Sequence, residues 1–126
     1  MKINYFIKYW LPVIFYMIFI FYLSSLPNPI EQVIPGKALP YFNFDHFIYH
    51  IIEYLILSFL LYRALKTISE KPEILTILIS TLYAITDEMH QYFVPGRISS
   101  VFDISFDIFG IIAMQCIIYI YNNIKN

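Results

Sequence analysis

Charge is what this sequence has least of. Asp, Glu, Lys and Arg make up 13% of its 126 residues against 60% hydrophobic residues, and the formal net charge is -1. A soluble domain carries roughly 25% charged residues, so this composition suits lipid rather than water as the solvent. There is no basic run and no glycine-rich loop, which removes the common sequence means of holding nucleic acid or nucleotide phosphates. Cys116 is the one cysteine. An internal disulfide and a cysteine-rich metal site are therefore excluded, and thiol redox chemistry lacks a partner thiol. The length suits a single domain, 1–126.

What is present is apolar runs of membrane length. Tyr9 to Ile30 contains no charged residue, and a first span is expected at about 7–26. Lys2 and Lys8 precede it as in a signal peptide, but Ser24-Ser25-Leu26-Pro27 is not a small-x-small cleavage site, so the segment is expected to stay as an anchor. Residues 27–44 hold Pro27, Pro29, Pro35, Gly36 and Pro40 and read as an exposed loop. Tyr41, Phe42 and Phe44 close it with interfacial aromatic character.

A second span, about 45–65, is polar in its first half (Asp45, His46, His50, Glu53) and apolar in its second. The third has the reverse order: the thirteen residues Ile74 to Thr86 are uncharged, too few alone to cross a hydrocarbon core of about 30 Å. That span must run on through Asp87 and Glu88, giving 73–92, with Pro72 at its start and a tight Pro95-Gly96 turn after it. A fourth follows at about 99–121, with Ser99 or Ser100 as N-cap. The expectation is an all-α polytopic membrane protein, a bundle of four transmembrane helices.

Of eight basic residues, Lys2, Lys8, Arg63, Lys66, Lys71 and Lys125 fall at one set of ends, and Lys37 and Arg97 at the other. By the positive-inside rule both termini of a multi-pass protein are then expected in the cytoplasm of a bacterial plasma membrane, with 27–44 and 93–98 outside. The acids divide the other way: Asp45, Glu53, Asp87, Glu88, Asp103 and Asp107 lie in the outer halves of three spans. Charges buried in an apolar medium pair, take up protons or serve a function.

The stretch Asp87 to Asp107 concentrates this polarity. On helices, neighbours are three or four residues apart. His46, His50, Glu53 and Tyr54 share a stripe, Asp87 sits beside His90 and Gln91, Glu88 beside Gln91 and Tyr92, and Asp103 one turn from Asp107. At 1.5 Å per residue Asp107 lies about 11 Å below its cap and Asp87 about 12 Å below Pro95. The expected site is therefore a water-filled pocket opening outward in the outer leaflet, lined by His50, Glu53, Asp87, Glu88, His90, Arg97, Asp103 and Asp107, with Gln91 a further candidate catalytic residue and the Arg97 fork able to fold down toward Asp103, Asp107 or Asp87, holding carboxylates or a phosphate. His46 reads as an interfacial polar residue and Ser24-Ser25 as a hydroxyl pair at a helix end.

His50-Ile-Ile-Glu53-Tyr54, Asp87-Glu88-Met-His90-Gln91, Val94-Pro95-Gly96-Arg97-Ile-Ser99, then Asp103 and Asp107 with Gly110, resemble the signature of the VanZ-like family of small bacterial membrane proteins. Ser24-Ser25-Leu26-Pro27 is similar to the end of that family's first span. The family commonly carries Asp-Lys four residues before its histidine. Here Asp45 precedes His50 by five residues and His46 follows it, so no lysine role in span two carries over. The resemblance implies a setting in resistance to the glycopeptide teicoplanin.

Five acids, one arginine and two or three histidines in a low-dielectric site leave three readings open. One is a purely structural polar core. Another is catalysis on an outer-leaflet envelope lipid or polymer, with His90 or Glu53 as base and Arg97 on a phosphate. The third is non-catalytic binding or transport of an envelope ligand, a glycopeptide-related ligand or an ion. The expected partner in all three is the lipid bilayer, with no nucleic acid; the motifs specify no cofactor, metal or oligomeric state.

Overall fold

The computed structural model describes residues 3–27, 44–97 and 99–125, Asp45 by its backbone only. The expected loop 27–44, with Lys37, Tyr41 and Phe42, lies outside them except for its ends. The described residues form four α-helices: α1 (Ile3–Ser24), α2 (Phe44–Leu65), α3 (Pro72–Tyr92) and α4 (Val101–Lys125). Each expected span meets one helix. α1 begins before the apolar run and α4 continues beyond it, because hydropathy marks the part of a helix that suits lipid and backbone bonding carries the helix further.

The polarity of the bundle is inverted relative to a soluble one. Phe15, Leu82 and Phe109 are 72%, 62% and 61% exposed, while Ser58, Thr76 and Ser80 are fully buried. α1, the 46–65 part of α2, and α4 are each long and apolar enough to cross a membrane. α3 is 21 residues long and ends in Asp87, Glu88, His90 and Gln91. Its buried stripe, Thr76, Ser80, Ala84, Asp87 and Gln91, begins with small side chains, which let helices approach closely where lipid supplies no hydrophobic drive.

α2 packs most extensively on α4, and both also pack on α3; α1 lies on α2 and α3. α2 and α4 run parallel and in register. His50 meets Asp107, Ser58 Oγ donates to the Ile111 carbonyl at 3.3 Å, Gln115 Nε2 donates to Ser58 Oγ at 2.8 Å, and Asn122 Nδ2 donates to Tyr62 Oη at 3.3 Å. Gly110 permits this approach, since a Cβ there would lie 2.3 Å from the Ile51 carbonyl oxygen.

α1 is tied on by backbone acceptors: Tyr16 Oη donates to the Glu53 carbonyl at 3.1 Å and Tyr83 Oη to the Met17 carbonyl at 2.6 Å. Pro12 sits inside α1 and has no N–H to offer the Lys8 carbonyl four residues back. Arg63 Nη2 supplies that bond at 3.0 Å, and its guanidinium lies 5.2 Å from the Tyr9 ring centroid. Foreign donors of this kind are how a proline is tolerated in a membrane helix.

Candidate functional site

Three local devices place the polar side chains. The first is the turn after α3, in which Arg97 N donates to the Val94 carbonyl at 3.2 Å and Gly96 has φ 81°. This is a type II arrangement with Pro95 at the second position and glycine where positive φ is required. The second is the start of α4: Ser100 Oγ accepts from Phe102 N at 3.2 Å, which makes Ser100 the N-cap. The third is Glu88, whose Oε1 accepts from Ser100 N at 2.5 Å while its carbonyl accepts from Ser99 Oγ at 3.1 Å. A carboxylate of α3 thus holds the α4 N-terminus, where the helix dipole favours negative charge.

On the α2–α4 seam two histidine–aspartate pairs stack one turn apart. His50 Nδ1 lies 2.8 Å from Asp107 Oδ1, both buried, and His46 Nε2 lies 3.3 Å from Asp103 Oδ1. The two imidazoles meet edge to face with centroids 4.6 Å apart. One ligand atom from each of His46, His50 and Asp103 lies within 4.8 Å of the other two, so these three could hold a metal ion.

Against this seam α3 presents Asp87, Glu88 and Gln91, all buried. Gln91 Nε2 donates to Asp87 Oδ2 at 3.1 Å. Among the described residues Asp87 Oδ1, Glu88 Oε2 and the Tyr54 hydroxyl are buried without a partner in hydrogen-bonding geometry, although the Ser24 hydroxyl stands near the Asp87 carboxylate and the Ser99 hydroxyl near that of Glu88. Glu53 is half-buried and lies within electrostatic range of His50, Asp87, Asp107 and Arg97. Tyr54 lies within range of Asp87, Asp107 and Glu53. His50, Glu53, Asp87, Glu88, Asp103 and Asp107 therefore belong to one connected cluster from three helices.

Arg97 and His90 face α1 instead. Arg97 Nε donates to the Leu26 carbonyl at 2.9 Å, Nη2 to the Leu23 carbonyl at 2.7 Å and Nη1 to Gln91 Oε1 at 3.2 Å. The expected carboxylate fork is thus replaced among the described residues by a clamp on the end of α1. The last carbonyls of a helix lack intrahelical donors and carry the negative end of its dipole, so a cation beside them finds ready acceptors. Arg97 reaches the acids indirectly, through Gln91 to Asp87. His90 stacks on Phe21 with centroids 4.3 Å apart, and its Nε2 lies 2.9 Å from Ser25 Oγ.

Three participants lie outside the expected pocket lining, although His46 and Tyr54 share its stripe on α2. His46 pairs with Asp103 rather than serving only as an interfacial residue, and its position one turn before His50 is the signal. Tyr54, one turn after His50 and beside Glu53, belongs to the same face. Ser25 is a partner of His90, which depends on the packing of α1 and leaves no periodic trace.

The arrangement offers a histidine fixed by a carboxylate on one nitrogen, the geometry of an oriented base, beside carboxylate oxygens whose bonding capacity is unused. A family model described as VanZ/LLP1 matches residues 9–122. No curated protein and no solved structure matches the chain.

Proposed function

Since the chain belongs to the VanZ/LLP1 family, we propose that its intramembrane cluster acts at the outer leaflet on a polar component of the bacterial cell envelope, in the setting of teicoplanin susceptibility. The observation that carries this reading is the pair of orphaned oxygens, Asp87 Oδ1 and Glu88 Oε2, buried beside the His50–Asp107 pair. A buried acceptor without a partner costs about 1–3 kcal/mol, and these two, unlike the Ser80 Oγ and Gln115 Oε1 orphaned elsewhere in the bundle, are carboxylate oxygens gathered at the histidine–aspartate seam. Hydroxyl or ammonium groups of a lipid-linked headgroup would satisfy them. His50, with Nδ1 engaged by Asp107, presents Nε2 for proton transfer, and Glu53 stands at the side of the same cluster.

Orientation follows from the two ends of the bundle. Lys8, Arg63, Lys66, Lys71 and Lys125 belong to one end, while Arg97 and the cluster belong to the other. The basic end is assigned to the cytoplasm and the cluster to the outer leaflet of a plasma-membrane protein with both termini inside. In a Cys116→Ser background, a cysteine at Phe93 should react with a membrane-impermeant maleimide in intact cells, and one at Glu70 only after permeabilisation. The reverse pattern overturns the orientation.

A structural reading has one observation in its favour: Arg97 clamps α1 through carbonyls instead of facing a ligand. Teicoplanin susceptibility and membrane abundance, measured together, separate the two. His50→Gln and Asp87→Asn should return the host to the susceptibility of cells lacking the protein, at membrane levels within about two-fold of wild type. Arg97→Lys should lose abundance and protection in parallel, because one ammonium cannot span the three acceptors that the planar fork serves. Full protection by His50→Gln and Asp87→Asn proteins refutes the functional reading of the cluster.

A further inference from the structure

We propose that His46, His50 and Asp103 bind a divalent transition-metal ion, with Asp107 as the carboxylate that orients His50. The ligands of the ion lie on the α2–α4 seam, and its binding does not need the envelope reading; where an ion takes the free nitrogen of His50, proton transfer in that reading falls to Glu53. Two helices running parallel and in register, one with histidines four residues apart and the other with aspartates four residues apart, bring all four side chains to one place. One ligand atom from each of His46, His50 and Asp103 falls within 4.8 Å of the others.

The separations suit coordination. Two ligands at about 2.0–2.1 Å from a tetrahedral zinc ion stand about 3.4 Å apart. His46 Nε2 and Asp103 Oδ1 are already at 3.3 Å. Bringing the widest pair from at most 4.8 Å to that spacing asks for about 1.4 Å of side-chain movement. Asp107 holds His50 Nδ1 at 2.8 Å, so a proton placed there frees the other ring nitrogen to ligate an ion. A carboxylate behind a ligating histidine is the usual outer-shell partner of such a site.

The charge around the cluster points the same way. His50 lies within electrostatic range of Asp107, Asp103, Glu53 and Glu88, and Glu88 within range of Asp103. Glu88 also carries the buried oxygen without a partner and is 3% exposed. The guanidinium of Arg97 bonds elsewhere, to two carbonyls and an amide. An ion with two positive charges offsets part of this acidity in a medium where unpaired charge is costly. Two imidazoles with one carboxylate favour zinc or a neighbouring transition ion over calcium or magnesium, which prefer all-oxygen sites. His46, with its side chain 30% exposed, gives the ion a way in, while Asp103 behind it is 5% exposed.

The test uses the full chain, purified in detergent with a tag free of histidine, stripped with a chelator and titrated with zinc chloride by calorimetry, with bound metal counted after desalting. The expected result is one zinc per chain. His46→Gln and Asp103→Asn should each weaken binding at least 10-fold, and Asp107→Asn by about 10–100-fold through the second shell. Glu73→Gln, at the opposite end of α3, should bind as wild type does. Should the site variants fail to accumulate, wild-type protein still decides the matter: zinc should protect the partly exposed His46, but not His90, from carbethoxylation read by mass spectrometry. No stoichiometric zinc, affinity indifferent to both His46→Gln and Asp103→Asn, or equal modification of His46 with and without zinc, overturns the proposal.

Discussion

Gly110→Leu should abolish accumulation of the protein in the membrane, and Gly110→Ala should lower its stability by about 1–3 kcal/mol, the usual range for overpacking a close contact. The reason is local. A Cβ at position 110 would lie 2.3 Å from the Ile51 carbonyl oxygen and 3.1 Å from its carbon. These are backbone atoms of a helix, so no side chain can move aside to relieve the contact. α2 and α4 must separate or rotate, and the change reaches the site because Ile51 follows His50 and Gly110 lies one turn after Asp107. Detergent-solubilised Gly110→Ala should therefore melt at a lower temperature than wild type and bind zinc more weakly. A Gly110→Leu protein with wild-type abundance and melting temperature contradicts the close approach.

The second large effect is expected at His50 and Asp107. Removing either partner alone leaves the other buried beside further polar groups, and breaking a buried ionisable pair costs about 3–5 kcal/mol. Ordinary hydrogen bonds between membrane helices average about 0.6 kcal/mol in double-mutant cycles. The two magnitudes separate the interpretations. In a cycle of His50→Ala, Asp107→Ala and the double variant, measured by chelator-treated thermal or denaturant unfolding, each single change should cost about 3 kcal/mol or more. The double variant should cost little more than the worse single one, because the orphan left by the first change is removed by the second. Additive losses of under about 1 kcal/mol each would reduce the pair to an ordinary interhelical bond.

Much of the architecture is legible because lipid makes the rules strict. An apolar run of about twenty residues has few alternatives to a spanning helix, so α1 and α4 follow from composition. α3 required a further step, since its uncharged part is too short and the helix must carry Asp87 and Glu88 inward. Both are buried at 5% and 3% exposure, as that argument demands. Pro95-Gly96 marks the turn because proline and glycine restrict backbone angles without help from neighbours, and Ser100 caps α4 because its hydroxyl serves a nearby N–H.

The destination of Arg97 was not legible in the same way. The count of acids suggested a carboxylate partner, yet the guanidinium bonds Leu23 and Leu26, more than seventy residues earlier. Carbonyls at a helix end are present whatever the side chains are, so a pattern of residue types gives no sign of them. His46 illustrates the opposite case. Its spacing from His50 was visible, but its role depends on the register of α2 against α4, which brings Asp103 within 3.3 Å.

The sequence by itself determined the solvent, the helices, the turn between α3 and α4, and the polar stripes on three of the helices, because hydropathy, periodicity and backbone preference act over a few residues. Only the tertiary structure decided which stripes meet. The parallel packing of α2 on α4 through Gly110 made two histidine–aspartate pairs of four scattered residues, and α1 took hydrogen bonds of Arg97 and His90 while both stayed within electrostatic range of the acids. Those outcomes turn on interhelical register and on backbone acceptors brought close by packing, and both are set by the fit of whole helix faces rather than by the order of residues along any one of them.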